Sequence, residues 1–159
     1  MATKRTAAKG TAQGEATTGK LKAYTEYLTV KTDRRYEMVH MTPLVEGIVR
    51  RSGVVDGFCY VSPMHTTAAI YLNDDKEGLN EDIGVWLEEK LPTWPEYQQM
   101  HTGEYADAHL KAIMMHHETT LPVTGGRLDL GMWQKIFYAE FDGMREKQII
   151  VKVLGVAKG

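Results

Sequence analysis

Large apolar residues alternate with polar ones along much of this chain, and the places where that period changes mark its elements. LKAYTEYLTVKT, from Leu21 to Thr32, alternates large and polar side chains and predicts a first strand, closed by the turn residues Asp33-Arg34-Arg35. Val45, Ile48 and Val49 then repeat at helical spacing, and Thr42 ahead of Pro43 reads as a cap, so a helix is expected from about Pro43 to Arg51. The β-branched and aromatic stretch VVDGFCYVSPMHTTAAIYL, beginning at Val54, predicts one long strand or two consecutive ones. Leu79, Ile83, Trp86 and Leu87 return to helical spacing until Pro92 ends the pattern.

Thr102-Gly103-Glu104 opens a further expected helix, whose apolar stripe is Ala106, Leu110, Ile113 and Met114. From Glu118 the composition becomes that of strands, with Gly125-Gly126 as a hairpin turn. Lys135 to Phe141 alternates again, Asp142-Gly143 reads as a second hairpin turn, and Gln148 to Leu154 is an apolar strand. The C-terminal half is therefore expected to be a β-meander.

Composition narrows the classes of function. The chain has 159 residues, enough for one domain with a real core and short for a (β/α)8 barrel. A net charge of -2 gives no electrostatic reason for nucleic acid or membrane surfaces as partners, which leaves small molecules and proteins. A lone Cys59 excludes an intrachain disulfide and any cysteine-based zinc motif, and suits a reducing cytoplasm. No apolar run reaches the roughly 18 residues of a membrane span. Residues 1–20 are mostly Ala, Thr, Gly and Lys, and are expected to form a flexible tail, or an arm that orders on a neighbouring subunit, ahead of a single domain over 21–159.

The candidate chemistry is concentrated between His101 and Glu140, with His65 upstream. His65, His109 and His117 lie near element boundaries and are candidate metal ligands or catalytic imidazoles, with hydrogen-bonded structural roles as the alternative. A shared site needs the helix to end between His109 and His117, because eight helical residues would separate them by about 12 Å. His116 would point away from whatever its neighbour faces. Glu140 lies in an apolar strand on the face of Ile136 and Tyr138, so it must be exposed, paired or poised. Arg145 and Gly125-Gly126-Arg127, beside turns, could bind phosphate, and Trp133 and Gln134 could line a pocket. No HExxH, GxxxxGK[ST] or GxGxxG motif occurs.

Several runs together carry a family resemblance: His65-Thr66-Thr67-Ala68-Ala69, Ala106-Asp107-Ala108-His109-Leu110-Lys111, Leu121-Pro122-Val123, Gly126 to Gly131, Trp133-Gln134, Glu140, and Asp142-Gly143 with Arg145. From Gly57 to Gly155 the chain resembles the YjbQ-type proteins, often labelled secondary thiamine-phosphate synthases. Glu104-Tyr105 and His116 depart from the family pattern, which commonly has Asp-Asn and Gly there. The resemblance implies an α+β fold on an antiparallel sheet, a homotrimer, and a polar pocket where His65, His109 and His117 meet and hold a divalent ion, zinc or magnesium. It implies a phosphorylated small-molecule substrate: a hydroxymethylpyrimidine diphosphate joined to a thiazole phosphate with release of pyrophosphate, with Glu140, Arg145 and Gln134 as catalytic candidates. Two other functions use the same residues. One is a zinc-dependent hydrolase with Glu140 as base, and the other is a non-enzymatic trimeric metal- or ligand-binding protein.

Overall fold

The computed structural model describes residues 14–93 and 105–157. Among them the order is β1 (Lys20–Val30), β2 (Glu37–His40), α1 (Thr42–Ser52), β3 (Val54–Pro63), β4 (Ala68–Asn73), α2 (Leu79–Lys90), α3 (Ala106–Met114), β5 (Thr119–Thr124), β6 (Arg127–Leu128), β7 (Lys135–Glu140) and β8 (Lys147–Ala157). The strands form a five-stranded sheet, β1-β8-β3-β5-β6, and a three-stranded sheet, β2-β7-β4. Every pairing is antiparallel, which gives the α+β class that the family resemblance implied.

The period-2 alternation of β4 and β7 explains the layering. Ala68 and Ile70 of β4, with Ile136 and Tyr138 of β7, join Cys59, Val61, Leu121, Val123, Ile149, Val151 and Val153 of the larger sheet, and Val45, Ile48 and Val49 of α1, in one buried cluster. The intervening residues Ala69, Tyr71, Phe137 and Ala139 join Leu87 of α2 and Ala108 and Ala112 of α3 in a second. The small sheet is thus covered on both sides, which is why AAIYLN and KIFYAE read as nearly continuous apolar runs. Each fully buried Ile or Val in these layers contributes roughly 1.5–3 kcal/mol of transfer free energy.

Four local expectations are corrected. Met41, not Thr42, is the N-cap of α1, and it makes no side-chain cap. Thr42 Oγ1 instead accepts a 2.8 Å hydrogen bond from the amide of Ile136, tying α1 to β7. Helix α3 does end between His109 and His117, as a shared site requires, with Met115 as C-cap and His116 at φ 77°. Of its expected stripe only Ala106 is buried: Ile113 is 77% exposed, Leu110 and Met114 also face outward, and the buried face is Ala106, Asp107, Ala108, Lys111 and Ala112. Short side chains let α3 approach the aromatic layer of the small sheet, and the two charged residues enter only because they pair (below). Asp142-Gly143 is not a hairpin turn. β7 and β8 lie in different sheets, so the turn is a crossover and the C-terminal strands form no continuous meander. Trp133, offered as a pocket-lining residue, is 68% exposed on the loop before β7. The expected opening of α3 at Thr102-Gly103-Glu104 and the first 13 residues of the tail lie outside the described residues.

Gly57 and Gly155 face each other in the β3–β8 ladder, just past an irregularity in register. A Cβ on Gly155 would lie 2.1 Å from the carbonyl oxygen of Asp56 and 2.7 Å from Cα of Gly57. Gly155→Ala is therefore expected to cost about 2 kcal/mol, whereas Gly84→Ala in α2, where no heavy atom lies within 4 Å of the added Cβ, should gain about 0.5–1 kcal/mol. Urea unfolding of the two variants measures both signs.

Candidate functional site

The crossover from β7 to β8 carries an ion pair removed from water. Glu140, the last residue of β7, is 1% exposed, and Lys147, the first of β8, reaches it with Nζ 2.6 Å from Oε1. A carboxylate and an ammonium buried this deeply persist only if their remaining hydrogen-bonding capacity is met. The amides of Phe141 and Asp142 donate to the same Oε1 at 3.0 and 2.9 Å. The Tyr138 hydroxyl donates to Oε2 at 2.5 Å, and Lys147 also donates to Thr67 Oγ1 at 3.0 Å. Strand parity places these groups together, since Tyr138 and Glu140 share one face of β7 and Ala68 pairs with Glu140 across β4.

His65, on the link between β3 and β4, closes the cluster. Its Nδ1 lies 3.2 Å from Thr67 Oγ1 and its Nε2 3.1 Å from the Tyr138 hydroxyl. Burial, and then the positive charge of Lys147, push the His65 pKa down to about 4, so the ring is neutral at neutral pH. Burial and the Glu140 carboxylate drive the Tyr138 phenol well above its ordinary value, so Tyr138 is a hydrogen-bond relay and not a phenolate. Burial alone pushes the Cys59 thiol up to about 12, which makes it a core residue and not a nucleophile.

The cluster opens toward solvent through Asp142, which lies 3.8 Å from Lys147 and is paired with the exposed Arg145. Both line a cavity of about 620 Å³ with Arg35, Tyr105, Gly143 and Met144. Gly143 is required there: a Cβ would lie 2.2 Å from both the Arg34 carbonyl oxygen and Thr32 Oγ1. Its absence seats the crossover on the loop between β1 and β2, where the Gly143 amide donates to the Arg35 carbonyl at 3.0 Å. Arg35 in turn donates to Asp107 of α3 at 2.9 Å, Asp107 pairs with Lys111 at 3.0 Å, and Lys111 reaches Glu88 at 2.7 Å. Burial opposes the charge on Asp107, but hydrogen bonds from Tyr36 and Lys111 outweigh it and hold the carboxyl below its usual range.

Of the residues anticipated from sequence, Glu140, Arg145 and His65 belong to this region. Gln134 does not: it is exposed on the loop before β7, where its side chain accepts from the Gly131 amide at 2.8 Å. His109 is half-buried on α3, and His117 is exposed two residues before β5. Thr119 pairs with Val61 in β3, so His117 leaves the sheet at the same end as His65. Among the described residues no three His, Cys, Asp or Glu side chains are arranged to hold a metal ion, and both ring nitrogens of His65 already face hydroxyls. The three histidines of one chain therefore do not fit a metal centre by themselves. Sequence reasoning missed Tyr138, Thr67, Lys147, Arg35 and Asp107. The signal for Lys147 was present, since it falls on the inward parity of Ile149, Val151 and Val153.

The depressed pKa of His65 has a consequence for stability. Between about pH 6.5 and pH 4 the unfolded chain binds a proton on this imidazole that the folded chain refuses, so folding should weaken as pH falls through that window, by on the order of 2 kcal/mol from this group. An NMR titration of the His65 ring should give a midpoint near 4, and His65→Asn should flatten that part of the stability profile.

Comparison with known proteins agrees with this architecture. The UPF0047 protein YjbQ-like family model matches residues 26–156. A UPF0047 protein of Methanothermobacter thermautotrophicus is 38% identical over 135 residues, covering 85% of this chain and 94% of its own. UPF0047 protein YugU of Bacillus subtilis is 32% identical over 129 residues, covering 80% and 97%. Among solved structures, a YbjQ-like protein of unknown function from Sulfolobus solfataricus P2 superposes with TM-score 0.81 at 38% identity, over 85% of this chain and 99% of that one. A hypothetical protein from Aeropyrum pernix K1 gives TM-score 0.79 at 36% identity, over 83% and 98%. With a family match across most of its length, relatives of this identity and solved structures that superpose over four fifths of the chain, the chain belongs to the YjbQ/UPF0047 family.

Proposed function

We propose that the chain is an enzyme acting on a phosphorylated small molecule, and that thiamine-phosphate synthesis is the reaction to test first. The observation that carries this reading is the buried Lys147–Glu140 pair, hydrogen-bonded through Tyr138 to a neutral His65 and opening through Asp142 and Arg145 into a cavity of about 620 Å³. A polar network sunk in an apolar core is costly unless every member is satisfied, and one that ends at a cavity suits a site for charge and proton handling.

In the proposed reaction the bond between the pyrimidine methylene carbon and the diphosphate oxygen breaks, and the thiazole nitrogen forms a new bond to that carbon. The electron pair of the broken bond leaves with pyrophosphate. Arg145, exposed at the cavity, would neutralise the departing oxygens. Glu140 and Lys147 fix Tyr138 and Thr67, and through them the orientation of the His65 ring, whose neutral state keeps one nitrogen able to accept a proton. This chemistry is read as taking place in the cytoplasm, within a homotrimer.

Zinc-dependent hydrolysis is the second reading, favoured by the neutral state in which His65 is held, since neutral imidazole is the metal-binding form. Because His65, His109 and His117 of one chain form no ligand group, an ion would have to be shared by histidines of more than one subunit. A trimeric protein that binds a ligand or metal without catalysis would use the same surfaces.

One experiment separates these readings. Pyrophosphate release from hydroxymethylpyrimidine diphosphate should require the thiazole phosphate, and should fall at least about a hundredfold in Arg145→Gln if the guanidinium stabilises the leaving group. Metal content and phosphate-ester hydrolysis are measured on the same preparations. Bound zinc with hydrolysis and no condensation would replace the synthase reading, and neither activity with retained ligand binding would leave the binding protein.

A further inference from the structure

The cavity beside the crossover has a second cation that the proposed chemistry does not use. Arg35 lies on the loop between β1 and β2, with its guanidinium carbon 4.7 Å from the centroid of the Tyr36 ring and 4.5 Å from that of Tyr105. Stacked between two rings, the planar group loses the freedom that usually makes an arginine costly to immobilise. One nitrogen donates to Asp107 at 2.9 Å. Its Nε is buried and has no hydrogen-bond partner among the described residues. A buried guanidinium N–H left unmatched calls for an explanation, because its desolvation is uncompensated.

Asp107 serves two cations, Arg35 and Lys111, and Lys111 also reaches Glu88. Across the cavity Asp142 faces both Arg145 and Lys147, while Glu140 is taken by Lys147. The cavity walls themselves carry Arg35 and Arg145 against the single carboxylate of Asp142. The ion pairs around the cavity balance as a whole, four cations against four carboxylates, but the wall itself presents two planar donors from different loops that Gly143 holds together.

We propose that Arg35 and Arg145 form a two-arginine clamp for the diphosphate of a small-molecule ligand, with the Arg35 guanidinium already held in place by Tyr36, Tyr105 and Asp107. Forked guanidinium groups match adjacent phosphoryl oxygens better than a point charge does, and a volume of about 620 Å³ holds a diphosphate together with the group that bears it. The clamp rests on the reading of this cavity as the substrate site and extends it by naming Arg35 as a binding residue and diphosphate as the group bound. It does not depend on which reaction follows.

Titration calorimetry with inorganic pyrophosphate in metal-free buffer tests it on the full chain. The wild type should bind, and Arg35→Gln and Arg145→Gln should each weaken binding by at least about tenfold, with Arg50→Gln, in a different cavity, unchanged. Arg35→Lys keeps the charge but not the stacked fork, and should also bind weakly. Circular dichroism confirms that each variant is folded, and Arg145, which is largely exposed, carries the test if Arg35 variants fail to fold. Absence of pyrophosphate binding by the wild type, or binding that survives both glutamine substitutions, overturns the clamp. Loss of binding in both alongside an inactive synthase assay leaves the clamp standing and removes only the reaction.

Discussion

The Lys147–Glu140 pair joins the two sheets where the chain crosses between them. Glu140 ends a strand of the three-stranded sheet and Lys147 begins one of the five-stranded sheet, with Nζ and Oε1 2.6 Å apart and both side chains almost wholly removed from water. Desolvating two charges costs several kcal/mol each, and their attraction offsets this only when the surrounding donors and acceptors are in place. Two amides, a phenol and a threonine hydroxyl meet that requirement here. The crossover is therefore fixed in position, and with it the wall of the cavity.

From this pair the electrostatics spread outward in order. The charge of Lys147 adds to burial in keeping His65 neutral, while Asp142 links the interior pair to the exposed Arg145. Gly143 lets the same turn rest on the backbone of Arg34, which brings in Arg35 and the Asp107–Lys111 pair of α3. Two buried ion-pair clusters, one reached from the cavity through Asp142 and the other through Arg35, thus meet at one turn with no room for a side chain. The apolar layers hold the sheets together, and the polar clusters determine where the sheets leave an opening.

Much of the fold was legible because local periodicity and burial agree. The nearly continuous apolar runs KIFYAE and AAIYLN are what a sheet covered on both faces requires, and the glycine pair at 125 and 126 turns β5 into β6 as its composition implies, with both residues at positive φ. Helix α3 was misread because Leu110, Ile113 and Met114 look like an inward stripe. The inward face is built instead from alanines and from Asp107 and Lys111, whose burial depends on partners more than 14 residues away in Arg35, Tyr36 and Glu88. No local pattern shows such partners. The candidate site divides in the same way: Glu140 stood out as a charge in an apolar run, whereas Lys147 and Thr67 acquire meaning only when β4, β7 and β8 meet. The metal expectation rested on residue type, and three histidines near element ends did not converge within one chain.

A double-mutant cycle on Lys147 and Glu140, read by urea unfolding, addresses the pair most directly. Lys147→Met alone should cost about 3–5 kcal/mol, because it leaves a buried carboxylate uncompensated. Adding Glu140→Gln should recover much of that loss, giving a coupling of about 2 kcal/mol or more. Single effects that add to within about 0.5 kcal/mol would show two independent side chains, and would contradict a structure organised around their interaction.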